Sequence, residues 1–232
     1  MTDANQTSSE PSSFKLIFTL AFAGLLSGLG IVIAYQTTLP IINANKARFL
    51  KQAVLQVVPH SKIMRKLVPS KDGKSLRFAT KADKKIPGVF AAYTQKGRFL
   101  AFAVVGAGSG FQDVINIIFG YNPFKKQIVG MQVLDSKETP GLGDKIYKDK
   151  NFAKNFIALS VEPKLILTKH VPGVKKAPNA IDAITGATIS STAVKNILQT
   201  TYDRWKKYLR VDLCPTLKLH SSAPAQRGHH GK

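Results

Sequence analysis

At 232 residues the chain has room for one sizeable core and a small appendage, and its 44% hydrophobic content excludes wholesale disorder. A formal charge of +21 calls for anionic partners, yet no zinc-finger spacing or RNA-binding aromatic signature accompanies it, which argues against a nucleic-acid module. Cys214 is the only cysteine, so an intrachain disulfide, a CxxC pair, a CxxCH haem site and a cysteine-held iron–sulfur cluster are excluded, and the histidines show no zinc spacing. Redox chemistry in this chain would need an organic cofactor.

In chain order, residues 1–13 are polar and expected to be disordered. Leu16 to Ala34 is an almost unbroken apolar run, and nineteen residues rising about 1.5 Å each cover the hydrocarbon core of a bilayer. A cleaved signal peptide would carry a charged n-region, a shorter apolar stretch and a small-residue cleavage site, so an uncleaved anchor over 14–35 is expected. Gly24 and Gly28, with Ala23 and Ser27 beside them, suit close approach of a second membrane helix. Lys46, Arg48 and Lys51 follow the anchor, and the positive-inside rule would put the following domain in the cytoplasm.

Beyond the anchor, Ile41 to Val58 reads as a helix stopped by Pro59, and the Lys-rich stretch Ser61 to Ile86 as loop with short elements, together a connecting region over 36–87. Val89–Gln95 and Arg98–Val105 read as one β-hairpin, Val114–Tyr121 and Gln127–Leu134 as a second. Gly106 to Gly110 lacks the dinucleotide-binding spacing and is expected to be a flexible strand connection. Helices are expected over Phe152–Leu159 and Ile189–Leu209, with a short strand at Leu165–Lys169. The last helix carries Val194, Ile197, Leu198, Trp205 and Leu209 on one face, the spacing of a core-facing stripe. Hairpins followed by helices make an α+β domain over 88–210, with a basic tail over 211–232.

Two segments are dense in chemistry. Glu138-Thr139-Pro140-Gly141-Leu142-Gly143-Asp144 is a glycine-rich turn of the kind that brings backbone N–H groups close to a ligand. Asn179 to Ser191 places Asp182, Thr185, Gly186, Ala187, Thr188, Ser190 and Ser191 just before the last helix, with Thr188 at or near its N-terminus. Unpaired N–H groups and the helix dipole there favour a phosphate, while Thr and Ser are equally the residues of an ordinary helix cap. The residues alone leave both readings open.

The Asp-x-x-Thr-Gly-Ala-Thr wording of Asp182 to Thr188 resembles the flavinylation motif of the FMN-binding domain family. The wording Glu-Thr-Pro-Gly-Leu-Gly-Asp-Lys-Ile after Lys137 is similar to that of the G subunits of Rnf-type ion-translocating ferredoxin:NAD oxidoreductases within it. The C subunits of sodium-pumping NADH:quinone reductases share Thr139 to Gly143 but tend to differ just after. The resemblance implies one transmembrane helix followed by an FMN-binding domain of antiparallel hairpins and packed helices. It implies FMN joined covalently through its phosphate to Thr188, with Asp182, Thr185, Gly186 and Ala187 read by a flavin transferase. Thr185 with Ser190 or Ser191 would hydrogen-bond phosphate oxygens, and Glu138 to Asp144 would pack near the ring. The chain would then be an electron relay among the membrane subunits of a complex, in contact with membrane lipid and not a catalyst on its own. Its soluble domain would lie outside the cytoplasmic membrane, against the charge rule, which is weak for long translocated domains. A quinone-reductase C subunit or a stand-alone FMN carrier is the alternative within the class. A basic membrane-anchored binding module without cofactor is the alternative outside it.

Overall fold

In the computed structural model, which describes residues 12–169 and 176–213, α1 (Ser13–Val57) runs through Pro40 as one 45-residue helix instead of an anchor and a separate second helix. Pro40 has no N–H to give to the preceding turn, a loss that ordinarily kinks or ends a helix. The carbonyl left without that N–H is that of Gln36. Thr37 and Thr38, just before the proline, donate their hydroxyls to the carbonyls of Ile33 (3.0 Å) and Ala34 (2.8 Å) one turn earlier. The chain divides into two units after Arg48. In the first, an 18-residue window of α1 has a mean hydropathy of 2.4, and the helix is long and apolar enough to cross a membrane. Residues 1–11 and the tail from Cys214 onward lie outside the described residues.

The second unit is built on a seven-stranded, fully antiparallel sheet of order β2-β1-β3-β4-β5-β6-β7. Its strands are β1 (Ile63–Pro69), β2 (Leu76–Phe78), β3 (Val89–Tyr93), β4 (Phe99–Ser109), β5 (Val114–Asn122), β6 (Gln127–Asp135) and β7 (Leu159–Ser160). The fold class is therefore α+β, as the hairpin pattern indicates. Both expected hairpins are present, but the Lys-rich stretch holds β1 and β2, which the sequence reading left as loop. In β1 only Leu67 and Val68 are fully covered, so the alternation that marks a strand is blurred by exposed Arg65 and half-exposed Lys66. The Gly106–Ser109 run is not a connection. It extends β4 and pairs residue by residue with β5, from Gly106↔Ile117 to Ser109↔Val114.

Two layers cover the sheet. On one face lies α4 (Thr188–Trp205), whose Val194, Ile197 and Leu198 join Phe102, Ile117 and Phe119 in the main core. The helix stops at Trp205, four residues short of the expected end, although Leu209 is still buried beside it. The expected Phe152–Leu159 helix is shorter as well. The chain forms α2 (Lys145–Lys148) and α3 (Lys150–Lys154), and Leu159 leaves to pair with Ile128. A separate two-stranded parallel sheet, β8 (Ile166–Thr168) with β9 (Ala180–Asp182), leads into the Thr188 turn. Parallel pairing of short strands far apart in sequence has no local signature.

The end of α1 covers the other face. Ala53, Val54 and Val57 pack on Ala92, Ala101, Ala103 and Ile118, a layer of small residues that lets the helix sit low. Gly120 and Gly130, paired across β5 and β6, complete the seat. A Cβ at Gly130 would stand 2.8 Å from the Val57 carbonyl, and one at Gly120 would meet the same oxygen still more closely. Gly120→Ala is expected to destabilise the domain by about 1–3 kcal/mol, since either the helix end or the sheet must shift. Denaturant unfolding monitored by Trp205 fluorescence measures it. An unchanged midpoint would show that the helix end is not seated on this glycine.

Candidate functional site

The two dense motifs, separated by about forty residues of chain, meet at one end of the sheet. Their link is a buried carboxylate. Glu138 is 5% exposed and accepts hydrogen bonds from the backbone N–H of Phe111 (2.9 Å) and Gln112 (3.1 Å), just beyond β4. Its other oxygen accepts from the Ser190 hydroxyl on the first turn of α4. Burial alone would raise the Glu138 carboxyl, but the Ser190 hydroxyl and the Gln112 and Phe111 amides outweigh it and hold it below the ordinary glutamate value. Glu138 is thus an ionised side chain knitting three segments together.

The glycine-rich turn closes around it. Leu142 and Asp144 donate their N–H groups to the Thr139 carbonyl at 3.2 and 3.3 Å, and Gly141 turns the chain at φ +79°. Gly143 is the close approach: a Cβ there would lie 2.7 Å from Glu138 Oε2 and 2.9 Å from Ser190 Oγ. Thr139 donates its hydroxyl to Gln112 Oε1 at 3.3 Å. Asp144 is buried, and its ion pair with Lys148 at 2.6 Å holds its carboxyl below the ordinary range. Pro140, Gly141 and Leu142 are left on the surface, Leu142 at 49% exposure.

The Thr188 segment is organised by its serines. Ser191 is fully buried; its hydroxyl donates to the Ala187 carbonyl (2.9 Å) and accepts from the Ile184 N–H (3.1 Å). Ser190 is given to Glu138. Both serine hydroxyls that the sequence offers to a phosphate therefore already shape the turn, and Thr185 is the one left exposed. Between them and β9 the chain reverses at Gly186, φ +80°, whose Cβ position lies 3.8 Å from Leu142 Cδ2, so the two motifs touch here too. The N-cap residue of α4 is Ala187, and no side chain caps the helix. Thr188 is the first helical residue, exposed, and its hydroxyl has no hydrogen-bond partner among the described residues. The ordinary-cap reading of the segment fails on this point, because the residue that would cap is an alanine.

A phosphate group fits this arrangement. The first-turn N–H groups of α4 have no intrahelical acceptor and no capping side chain, the dipole adds partial positive charge, and Thr185, Gly186 and Thr188 are open to solvent. A cleft of about 900 Å³ opens beside the turn, lined by Asp182 and Thr185 with Lys145, Lys154, Asn155 and Lys176. Thr188 itself is not among its lining residues. Asp182 is set apart, on β9, bonded to Thr168 and paired with Lys176.

Phe111 and Gln112 are the residues that sequence reasoning missed. They follow the glycine run dismissed as a connection, and the only signal was a large aromatic at a turn. Phe111 is 65% exposed, held by its backbone to Glu138, and Ile189, next to Thr188, is 59% exposed.

The FMN-binding domain family matches residues 110–203, which contain both motifs. The chain is 30% identical over 181 residues to the G subunit of the ion-translocating oxidoreductase complex of Haemophilus influenzae, spanning 76% of this chain and 82% of that protein. To the G subunit of the same name from Methanosarcina acetivorans it is 26% identical over 192 residues, 82% of this chain and 92% of the other. Among solved structures, the C subunit of the Na⁺-translocating NADH-quinone reductase of Parabacteroides distasonis superposes with a TM-score of 0.48 at 21% identity, over 64% of this chain and 78% of that one. With its two motifs, its apolar N-terminal helix and this span of similarity, the chain belongs to the family of ion-translocating oxidoreductase complex G subunits.

Proposed function

We propose that this chain is a membrane-anchored electron-transfer subunit of an Rnf-type ferredoxin:NAD oxidoreductase complex, carrying FMN as a phosphoester on Thr188. The observation that carries the reading is the Thr188 hydroxyl: exposed, without a partner among the described residues, and on the first turn of a helix with no capping side chain. Attachment is a group transfer by a flavin transferase. Thr188 Oγ forms a bond to the flavin phosphate of a donor that carries a leaving nucleotide. The phosphate–nucleotide bond breaks, and the hydroxyl proton goes to solvent. When bound, FMN supplies one-electron redox chemistry that no side chain of this protein offers.

The chain's own residues hold and orient it. First-turn N–H groups of α4 face the phosphate, and Thr185 adds a hydroxyl from the exposed side of the turn. Gly186 keeps that approach free of side chain. Leu142 and Phe111 present exposed apolar surface for the ring, with Thr139 and Pro140 shaping the loop behind Leu142. Glu138, through Ser190 and the Phe111 and Gln112 amides, holds the α4 N-terminus, the glycine turn and the β4–β5 connection in fixed relation. The apolar part of α1 anchors the chain in the cytoplasmic membrane with the second unit on the extracytoplasmic side. A covalent bond suits that location, where a dissociated cofactor is not readily replaced. Its partners are the other membrane subunits, the transferase that matures it, and lipid.

Co-expression of the full chain with a flavin transferase is expected to add the mass of FMN less one water and to leave a flavin-fluorescent band after denaturing electrophoresis. Thr188→Val abolishes both while leaving the unfolding transition unchanged. A Thr188→Val chain that still carries covalent flavin refutes the assignment.

Glu138→Ala leaves two amides and a hydroxyl unsatisfied and is expected to cost about 2–3 kcal/mol. Because the folded-state Glu138 carboxyl is depressed, its stabilisation is complete above the ordinary glutamate value and is lost as pH falls through the depressed one. Thermal melts between about pH 7 and pH 3 should therefore show a shallower acid limb for Glu138→Gln than for the wild type. Parallel acid limbs would mean that folding leaves the Glu138 carboxyl at its ordinary value.

A further inference from the structure

Asp182 opens the modification motif, yet its surroundings are those of a residue already in use. It sits at the end of β9, in register with Thr168 of β8. One carboxylate oxygen accepts from the Thr168 hydroxyl at 3.0 Å, and the other is 3.1 Å from the Lys176 ammonium. The side chains of Asp182 and Lys176 are 26% and 31% exposed, so the pair is half-buried at the wall of the cleft. Asn155, at the end of α3, reads the same residue through its backbone: its Oδ1 accepts from the Asp182 N–H at 3.0 Å and its Nδ2 donates to the Asp182 carbonyl at 3.3 Å. Lys176 also donates to that Asn155 oxygen. The Ala183 N–H, one residue on, is bonded to the Thr168 carbonyl at 2.8 Å.

The segment from Ala183 to Ala187 is thus clamped at both ends. Downstream, Ser191 holds the Ile184 N–H and Ser190 holds Glu138. Upstream, the clamp is Asp182 with Thr168, Lys176 and Asn155. Thr185, Gly186 and Thr188 stay on the surface between the clamps. A modifying enzyme approaching Thr188 meets these exposed residues, whereas the Asp182 carboxylate is directed at partners within its own chain.

We infer that Asp182 is a positioning residue: with Lys176, Asn155 and Thr168 it fixes where the Thr188 turn leaves β9, and it is not a group presented to the flavin transferase. The inference rests on the reading of Thr188 as flavin acceptor. It makes Lys176, which lies outside the motif, a determinant of modification equal in weight to Asp182.

An exchange of charges tests it. In the full chain co-expressed with a flavin transferase, intact mass gives the flavinylated fraction over time, and hydrogen exchange reports the amides of 183–187. Asp182→Lys and Lys176→Asp should each slow flavinylation by about tenfold, equivalent to about 1.4 kcal/mol, and speed exchange over 183–187. The double variant should recover both, because a Lys–Asp pair works in either direction inside the fold. If the double variant regains wild-type exchange protection but not flavinylation, the carboxylate is read by the enzyme and the inference is wrong. Lys176→Met covers the case in which the exchanged pair fails to order. Slowed flavinylation in that variant supports the clamp, and a wild-type rate overturns it. A wild-type chain that gains no FMN mass would instead refute the reading of Thr188, a different result from any of these.

Discussion

A single buried carboxylate organises the functional end of this domain. Glu138 is ionised inside the protein because three donors converge on it, two backbone amides from the β4–β5 connection and the Ser190 hydroxyl from α4. Charge-assisted hydrogen bonds are stronger than neutral ones, and an ionised group left without them in the interior would be strongly destabilising. Each of the three segments is therefore held by a partner whose loss the fold tolerates poorly. The glycine turn can wrap this side chain only because residue 143 has no Cβ. Thr188 is exposed while Ser190 and Ser191, in the same first turn, are buried.

Close backbone contact governs the opposite face of the sheet. The end of α1 rests on alanines and on Gly120 and Gly130, so helix backbone meets sheet backbone with little side chain between them. The α4 face uses larger residues and a cluster of aromatic contacts, including Tyr121 with Tyr202 at 5.3 Å and Trp205 with Tyr208 at 5.8 Å. Burial and the Tyr121 neighbour push the Tyr202 hydroxyl far above the ordinary phenol range, which keeps it neutral and a donor to Glu162. One layer is thin and the other thick. The thick one carries the helix whose N-terminus forms the candidate site.

Several features of the fold were legible before any coordinates. Apolar, β-branched runs bounded by turn residues mark Val114–Tyr121 and Gln127–Leu134 as strands, and the Val194, Ile197, Leu198, Trp205, Leu209 stripe marks the core face of the last helix. The missed strands β1 and β2 are half-exposed and rich in basic residues, so their period is hidden by side chains that face water. The Gly106–Ser109 extension was misread because glycine weakens a strand pattern. Here it is used for close approach: a Cβ at Gly108 would lie 2.6 Å from Ile197 Cγ1 of α4. Ile41 to Val58 was read as a helix separate from the anchor, whereas α1 continues through Pro40 to Val57.

The candidate site divides in the same way. Residue order alone determined the two motifs and the apolar N-terminal run, because those depend on which residues are present and how they are spaced. Only the tertiary structure decided what each polar group does. It turned Ser190 and Ser191 into internal braces, set Asp182 against Lys176, brought the Phe111 backbone to Glu138, and left the Thr188 hydroxyl without a partner among the described residues on an uncapped helix. The physical reason is that a hydroxyl or carboxylate is defined by the donors and acceptors around it. Those come here from segments as much as 52 residues apart, joined only when the sheet and α4 close on each other.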